Sequence, residues 1–346
     1  MIDWFRGEIP FQHEPLPSGS ILSVTPEGDI EWQSIKRLDC RSSWESNLML
    51  RSVGAAGHGF ASGLMIDGNI SKFLQGHNVI GSRDLNRLVY LAFEKIYQIY
   101  EDHFHGWSNP QLTLARIKKG DYLVKMLDIN QLYDIGNDAS VEAWLHAAEM
   151  RARSRHGRSS RDKGTVYLGK SSRRWGFKFY NKFREMQCKA GKKGHELPLE
   201  LQNQGLEEFV VGKLRAELRI FSKELEKHGL KQGKDFTTKT IDNLFTAYLE
   251  KIDMTAQATL IDDQLTKMPR ALQATYQLWR QGADVFNLMA TRTFYRHRTQ
   301  LKEYGIDIAM PHLAPERNNV IPLIRVIEAK PVQNPHWAYE KGLIAA

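Results

Sequence analysis

Short segments in which apolar and polar residues alternate dominate the first 220 residues of the chain, and this period of two is typical of β-strands. The segment 20–35 alternates on both sides of the turn Pro26-Glu27-Gly28-Asp29, which predicts a hairpin. A second hairpin is predicted where 112–117 and 122–130 flank a Lys-Lys-Gly turn. Further strands are predicted at 47–53, 63–67, 165–169, 175–183 and 213–221.

Three segments between these strands favour helices. The first covers about 82–100, where apolar residues follow helical spacing and the first residue suits an N-cap. The second covers about 140–153, with Asp138 or Ser140 as its cap, and the third lies around 197–209. Strands and helices in this order predict an α+β fold, in which helices pack on an antiparallel sheet.

From about residue 222 onward the pattern becomes helical. We place a domain boundary in the composition shift near 235–254, with an α+β domain at 1–235 and a mostly helical C-terminal domain at 236–346. The tail at 318–329 reads as extended. The predicted helices of this part are 223–230, 240–252, 257–265, 270–282 and 291–305.

The last two of these helices resemble a helix-turn-helix, because a turn near Gly282 precedes a basic helix. The face that we predict to point inward carries Phe294, His297, Leu301 and Tyr304. The opposite face, available for phosphates or base edges, carries Arg292, Tyr295, Arg296 and Thr299. The second helix is therefore a candidate DNA-binding element.

Composition excludes several classes of protein. The apolar and charged fractions, 42% and 25%, are those of a globular chain, and no apolar stretch approaches the roughly 18 residues of a membrane span. The two cysteines, Cys40 and Cys188, form neither a disulfide framework nor a CxxC motif, so we expect a cytoplasmic protein. P-loop, dinucleotide-binding, GxSxG and HExxH motifs are all absent from the sequence.

Charge points to a polyanionic partner. The chain has 48 Lys and Arg against 40 Asp and Glu, a formal charge of +8. Basic residues concentrate at 151–164 and again at Lys189, Lys192 and Lys193, on both sides of one predicted hairpin. They are either solvated loops or phosphate contacts, and their position favours phosphates. The candidate DNA-binding residues are Arg153, Arg155, Arg158, Arg161, Lys170, Arg173, Arg174, Arg292 and Arg296.

The hairpin between these basic segments carries a candidate nucleophile. By strand alternation Lys178, Tyr180 and Lys182 share one face. A tyrosine among cations suits phosphodiester cleavage through a phosphotyrosine, since cations favour the phenolate and stabilise the transition state. A phosphotyrosine also conserves the bond energy, so a strand can be resealed without ATP. Tyr180 and Lys182 are therefore the candidate catalytic residues, with an exposed Tyr and Lys on a sheet as the alternative.

Two acidic residues inside apolar strands are candidate metal ligands. Asp128 is predicted to end its strand and Glu217 to lie in the middle of another. Such carboxylates are costly to bury unless they are paired or metal-bound. They could hold Mg²⁺ (or Mn²⁺) against a phosphate oxygen, or could pair with Lys125, Arg215 or Arg219.

Histidines offer further candidate ligands. His77, in a loop between two glycines, is either a metal ligand or a residue whose backbone hydrogen bond organises the turn. His103 and His105 have the His–hydrophobic–His form that binds a divalent metal when it lies in a strand. Here they follow a predicted helix, where histidines commonly cap the C-terminus, so we favour capping.

Several motifs together resemble the gene II replication initiators of filamentous bacteriophages. They occur in order along nearly the whole chain. They are the opening MIDW, LQGHNVIGS (74–82), LDIN (127–130), the hairpin 165–186, LRAELRIFSKELEKHGL (214–230), YRHRTQLKEYGI (295–306) and NNVIPLIRVI (318–327). The pattern around the hairpin is similar to that of plasmid rolling-circle initiators too. Many of those carry a second acidic residue after the position of Asp128, where this chain has Leu132.

The resemblance implies a site-specific nicking and closing endonuclease. Such a protein binds double-stranded origin DNA, nicks the plus strand to leave a 3′-OH for the host polymerase, and later circularises the displaced single strand. The family assigns the nucleophile to Tyr180 and acidic strand positions to Asp128 and Glu217. The resemblance also implies that the protein acts together with a host helicase and associates with itself on DNA. It further implies a location in the bacterial host cytoplasm. A shorter C-terminal product is expected too, for which Met254 suits an internal start.

Two other functions fit the sequence less well. A non-catalytic origin-binding regulator or repressor would use only the basic loops and the helix-turn-helix. An RNA-binding protein would use the aromatic residues of the sheet, but the sequence carries no RNP-like motif.

Overall fold

The computed structural model describes residues 1–44, 46–54, 59–104, 109–154, 157–162, 164–187, 197–252, 268–304, 306–309 and 331–345. Its strands are β1 (Ile2–His13), β2 (Ser20–Val24), β3 (Ile30–Ile35), β4 (Leu38–Arg41), β5 (Asn47–Val53), β6 (Ala61–Asn69), β7 (Leu123–Asp134), β8 (Arg153–Ser154), β9 (Gly157–Arg158), β10 (Ser160–Asp162), β11 (Thr165–Leu168), β12 (Trp175–Asn181) and β13 (Lys213–Phe221).

The α-helices that the structure describes are α1 (Ile70–Gln75), α2 (Leu85–Ile99), α3 (Glu101–Phe104), α4 (Pro110–Lys118), α5 (Asp138–Arg151), α6 (Lys182–Gln187), α7 (Leu206–Val210), α8 (Ser222–Lys227), α9 (Thr238–Leu249), α10 (Arg270–Arg280), α11 (Thr291–Glu303) and α12 (His336–Glu340). Short 3₁₀ helices lie at Leu199–Leu201 and Gly233–Asp235.

A nine-stranded antiparallel sheet organises the fold, with strand order β10-β11-β12-β13-β7-β1-β6-β5-β4. Its central strands β12, β13, β7 and β1 come from distant parts of the sequence, so residues far apart along the chain become neighbours. The hairpins β2–β3 and β8–β9 form separate two-stranded sheets.

Alternation along the strands gives this sheet two different faces. One face is apolar: Phe5, Ile129, Phe177 and Leu218 are buried there in a core that also includes residues of α2, α4, α5 and α9. The opposite face carries charged side chains such as Lys178 and Arg219, and we call it the polar face. Helices α2, α4, α5 and α9 therefore pack on the apolar face of the sheet.

Two smaller apolar clusters complete the described structure. One joins α6 and α7 to the C-terminal segment 331–345 through residues such as Met186, Val210 and Leu343. The other lies between α10 and α11, where Tyr276, Trp279 and Phe294 are buried.

The predicted fold class is confirmed, since helices pack on a large antiparallel sheet and further helices follow in the C-terminal region. The strand predicted at 213–221 has those bounds in the structure. The predicted helix at 82–100 begins at Leu85 and is capped by Asp84 instead of Ser82. The predicted helix at 140–153 begins at Asp138 after the cap residue Asn137.

The hairpin predicted around Lys118-Lys119-Gly120 is wrong, because 110–118 is helix α4. The Asn109 side chain caps the helix, and Pro110 occupies its first turn. Leu114 and Ile117 are buried while Leu112 is 60% exposed, which is the spacing of a helix and not of a strand. Asp128 also does not end its strand, since β7 continues to Asp134.

Helix α9 lies beyond the predicted domain boundary at 235 but packs Ile241, Phe245 and Tyr248 into the core of the sheet. The division into 1–235 and 236–346 stays a prediction. The predicted helix 257–265, the tail 318–329, Cys188 and Met254 lie outside the described residues. No helix of the described ranges has the length and apolarity to cross a membrane.

Candidate active site

Strand register places the candidate residues side by side on the polar face. Lys178 of β12 pairs with Glu217 of β13, which pairs with Asn130 of β7. The adjacent row pairs Arg219 of β13 with Asp128 of β7. Three strands that are separated in sequence therefore bring Asp128 and Glu217 together with two cations, Lys178 and Arg219.

Tyr180 donates a hydrogen bond from its hydroxyl to Glu217 Oε2 at 3.2 Å. Lys178 Nζ lies 2.7 Å from the other carboxylate oxygen of Glu217. Burial raises the pKa of Tyr180 well above its usual value, although the nearby Arg215 guanidinium opposes this. The phenol is therefore protonated at neutral pH, and its oxygen is held in place by a carboxylate.

Glu217 is the ionised member of a pair of buried carboxyl groups. Burial acts to raise its pKa, but Lys178 and Arg215 outweigh burial and leave the pKa of Glu217 below its ordinary value. Asp128 differs: burial and the charge of Glu217 raise its pKa although Arg219 donates hydrogen bonds to both of its oxygens, at 2.6 to 3.1 Å. The two groups also share a hydrogen bond, so they titrate as a pair.

Both carboxylates form ion pairs within the protein, Asp128 with Arg219 and Glu217 with Lys178, and Arg219 is one of the partners that the sequence offered as the alternative to a metal. Mg²⁺ commonly uses one or two carboxylates together with substrate phosphates, and a cation between Asp128 and Glu217 would favour ionisation of both. Across the described ranges, no group of three or more His, Cys, Asp and Glu is placed to hold a metal ion. The pair would therefore need water or phosphate oxygens to complete a coordination shell.

Arg215, which the sequence offered only as an ion-pair partner for the acidic residues, lies fully buried beside the phenol. Its guanidinium donates a hydrogen bond to the backbone oxygen of Asn78. Arg215 Nε and Asn130 Nδ2 are buried and have no hydrogen-bond partner among the residues that the structure describes. Two buried donors next to the carboxylates are what a phosphate oxygen or a bound water would satisfy.

Lys182 lies at the start of α6, just after Tyr180, and is buried. Its ammonium group donates to Asn78 Oδ1 at 2.9 Å and to Glu185 Oε2 at 2.7 Å. Burial lowers the pKa of Lys182, with Glu185 acting in the opposite direction. A buried lysine with a lowered pKa suits proton transfer near neutral pH.

His77 is not joined to the carboxylate pair by any described contact. Its Nε2 lies 2.8 Å from the backbone oxygen of Leu343, and its Nδ1 accepts from the backbone N–H of Val79 at 3.3 Å. Both ring nitrogens are therefore used within the protein, and we leave His77 out of the ligand set proposed below. His103 Nε2 contacts the backbone oxygen of Glu14 at 3.1 Å, and His105 lies outside the described residues.

The contacts of His77 predict a pH-dependent stability. Burial lowers the pKa of His77 to about 4. Its unfolded pKa is about 6.5, so the stabilisation is complete above pH 6.5 and is lost as the pH falls toward 4. Between pH 7.5 and 5 the wild type should lose about 2 kcal/mol more than His77→Asn in urea unfolding. Parallel losses in both proteins would contradict this assignment.

The predicted DNA-binding residues of the hairpin are placed differently from one another. Arg173 is exposed in the β11–β12 turn. Lys170 pairs with Asp162 at 2.8 Å, and Arg174 contacts Glu224 at 3.4 Å. Arg161 contacts Glu142 and Glu149 of α5. Arg155 and the lysines of 189–193 lie outside the described residues, and the side chains of Arg153 and Arg158 are not described.

Helix α11 presents the faces that its sequence predicts. Phe294, His297 and Leu301 are buried against α10, and the imidazole Nδ1 of His297 lies 2.8 Å from the hydroxyl of Thr275. The outward face exposes its cations to solvent. The exposed residues of that face are Arg292, Tyr295, Arg296 and Thr299.

The polar face carries a second charged cluster, which the sequence analysis did not predict. Asp67 of β6 is buried and accepts hydrogen bonds from Arg6 at 2.8 Å and Arg37 at 2.9 Å. Trp4 donates to the same carboxylate and has the Arg219 guanidinium 5.9 Å from its ring centroid. The alternation of Trp4, Arg6 and Glu8 in β1 was the available signal. This cluster extends a line of cations across the sheet.

Comparison with known proteins adds an independent finding. Residues 1–239 match the family model of the N-terminal region of the phage replication-associated protein (the gene II protein), and residues 260–344 match the model of its C-terminal region. The curated replication-associated protein of the same name from Enterobacteria phage I2-2 is 41% identical over 335 residues, which is 97% of this chain and 95% of the relative.

Proposed function

This chain belongs to the gene II family of phage replication-associated proteins, and from that premise we propose that it is a DNA nicking and closing endonuclease. It would nick the plus strand at the phage origin to start rolling-circle replication, and would later recircularise the displaced strand. The observation that carries this proposal is the hydrogen bond from the buried Tyr180 hydroxyl to Glu217, beside Lys178 and Arg215, on the face of the sheet that also carries the partly exposed side chains of Lys178 and Arg219.

In the proposed reaction the Tyr180 oxygen attacks the scissile phosphorus, and its proton passes to Glu217 Oε2. The bond from phosphorus to the 3′ oxygen breaks, and the 3′ oxygen takes up a proton to leave as a hydroxyl. The 5′ phosphate stays on the tyrosine. Attack by a 3′-OH on this phosphotyrosine reverses the step and reseals the strand without ATP.

The reaction requires the Tyr180 phenol to lose its proton, and the charges around the phenol control that step. Burial keeps the free phenol protonated, so ionisation needs more positive charge than Arg215 supplies. Asp128 and Glu217 would hold Mg²⁺ or Mn²⁺, and such a cation would stabilise charge on the phosphate oxygens. Lys178 keeps Glu217 ionised, which is the form of the carboxylate that can accept a proton.

Lys182 is the proposed source of the proton for the leaving 3′ oxygen. It is buried within the same part of the chain as Tyr180, and burial lowers its pKa. A lysine whose pKa moves toward neutrality gives up its proton more readily than an exposed one. Glu185 and Asn78 fix the position of its ammonium group.

DNA is proposed to lie along the polar face and the exposed side of α11. Arg219, Arg6 and Lys178 are partly exposed there, at 43%, 34% and 31% of their side chains. Such contacts to several phosphates make binding fall steeply with salt. The second candidate function, a non-catalytic origin-binding regulator, would need these cations but not the buried Tyr180–Glu217 contact.

Incubation of the purified chain with supercoiled plasmid carrying the cognate origin separates the two functions. With Mg²⁺ we expect nicked and relaxed closed circles, and with EDTA we expect neither. A plasmid without the origin is the control for site specificity. A complex that retards the plasmid but leaves it supercoiled in the presence of Mg²⁺ would favour the regulator.

A further inference from the structure

A cavity of about 320 Å³ opens on the polar face next to the Tyr180–Glu217 contact. We call it the hairpin pocket; its lining includes Tyr167, Lys170, Gly176, Lys178, Arg219 and Phe221. Glu217 also lines it, so the residue that accepts the phenolic hydrogen bond forms one boundary of the pocket.

Strand register explains why a cavity exists here. Tyr167 of β11 pairs with Lys178, and Gly176 of β12 pairs with Arg219, so these residues occupy neighbouring rows. Gly176 has no side chain to fill the space in front of Arg219. A Cβ atom at this position would lie 2.9 Å from the backbone oxygen of Gly169, so the close approach of β12 to the turn that follows β11 requires glycine.

The walls of the pocket offer two kinds of contact. Tyr167 supplies an aromatic ring, with the ammonium group of Lys170 4.8 Å from its centroid. Lys170 and Lys178 supply two cations, which are paired with Asp162 at 2.8 Å and with Glu217 at 2.7 Å and which a phosphate would contact in addition to these partners. An aromatic ring with flanking cations is the combination by which proteins hold single-stranded nucleotides, since the ring stacks on a base and the cations contact phosphates.

We infer that the hairpin pocket binds the nucleotide next to the scissile phosphate, with its base stacked on Tyr167 and its phosphate near Lys170. The inference rests on the proposed function. Glu217 lines the pocket and also accepts the hydrogen bond of the reacting oxygen, so a base held in the pocket fixes which phosphate faces Tyr180. Tyr167 is thus a positioning residue: it acts through the DNA and not on the phosphorus.

The test scans a single-stranded origin oligonucleotide with an abasic residue at one position at a time. Binding is measured by fluorescence anisotropy in a Tyr180→Phe background, where cleavage does not consume the complex. In this parent an abasic residue at one position should weaken binding about tenfold, as expected for loss of one stacked base. In Tyr167→Ala the same abasic residue should change binding less than about twofold, because no ring remains to stack.

Two control variants separate loss of the Tyr167 ring from other effects of a substitution. Tyr167→Phe keeps the ring and should keep the parent profile. Tyr90→Ala removes a matched tyrosine, which has the Lys118 ammonium group 4.7 Å from its ring centroid but lies on α2, and should also keep it. An identical abasic profile in the parent and in Tyr167→Ala, or no sensitive position in either, would overturn the inference.

The same set of proteins separates this inference from the proposed function. If the chain with Tyr180 intact cleaves origin DNA but the abasic profile does not change in Tyr167→Ala, nucleotide binding in the pocket is refuted and the nuclease activity is not. A Tyr167-dependent profile without cleavage would refute the nuclease and leave the pocket as a binding site. If Tyr167→Ala also lowers the cleavage rate at saturating DNA, and does so for an intact oligonucleotide but not for one that is abasic at the sensitive position, the residue positions the DNA and the variant has not lost its fold.

Discussion

Replacement of Tyr180 by phenylalanine is expected to reduce nicking of supercoiled origin DNA by roughly 10⁴-fold or more, as removal of a nucleophile does in other enzymes. The substitution removes one oxygen and keeps the ring, so the packing around residue 180 should be unchanged. Origin binding should remain within about twofold of wild type, because the phosphate contacts come from other residues. The measurements are single-turnover nicking and a binding titration on the same preparation.

The matched control is Tyr167→Phe, which removes a phenolic oxygen from the neighbouring strand of the same hairpin. Tyr167 lies on the same face but makes no described contact with either carboxylate. It should nick at close to the wild-type rate. Loss of nicking in Tyr167→Phe with normal nicking in Tyr180→Phe would move the nucleophile to Tyr167.

Replacement of Glu217 by glutamine should have the second-largest effect, a loss of roughly 10²- to 10⁴-fold in cleavage rate. A neutral amide accepts the phenolic proton poorly and no longer balances Lys178. It also removes half of the carboxylate pair, so the remaining cleavage should need more Mg²⁺ to saturate. We expect the rate loss and the raised metal requirement together, measured by nicking across an Mg²⁺ titration.

Glu224→Gln is the control for the structural cost of altering a buried carboxylate. Glu224 is 1% exposed, accepts a hydrogen bond from Tyr248 at 2.7 Å and contacts Arg174 at 3.4 Å. It thus repeats the tyrosine–carboxylate–cation arrangement at a place with no role in the proposed chemistry. Glu224→Gln should lose stability but nick bound DNA at nearly the wild-type rate. Equal rate losses in both variants would make the role of Glu217 structural.

The segment 112–117 shows where sequence periodicity is ambiguous. Leu112 and Leu114 fit an alternating strand, while Leu114 and Ile117 fit a helix, and a six-residue window cannot separate the two periods. The helix signal lies outside that window, in Asn109 as N-cap and Pro110 in the first turn. In contrast, β12 and β13 are long enough for alternation to fix both their identity and the faces of Lys178 and Glu217.

The candidate site was predictable in part for a similar reason. Local alternation placed Lys178 and Tyr180 on one face, and a lone acid inside an apolar strand marked Glu217. Local patterns do not report contacts between strands. Arg215 lies fully buried beside Tyr180. In the same region Asp3 accepts a hydrogen bond from Asn69 at 2.6 Å. Both placements depend on the order of the strands in the sheet, which no local pattern reveals. The use of both His77 nitrogens depends on Leu343, 266 residues away.

Capture of the covalent intermediate is the sharpest test of Tyr180 as the nucleophile. The full chain is incubated with Mg²⁺ and a single-stranded origin oligonucleotide, digested with trypsin and nuclease, and the peptides are analysed by mass spectrometry. We expect a nucleotide 5′-phosphate on the peptide Phe179–Lys182, at Tyr180, and its absence in Tyr180→Phe. Cleaved DNA with no nucleotide on any tyrosine, or with the nucleotide on Tyr167 or Tyr133, would contradict it.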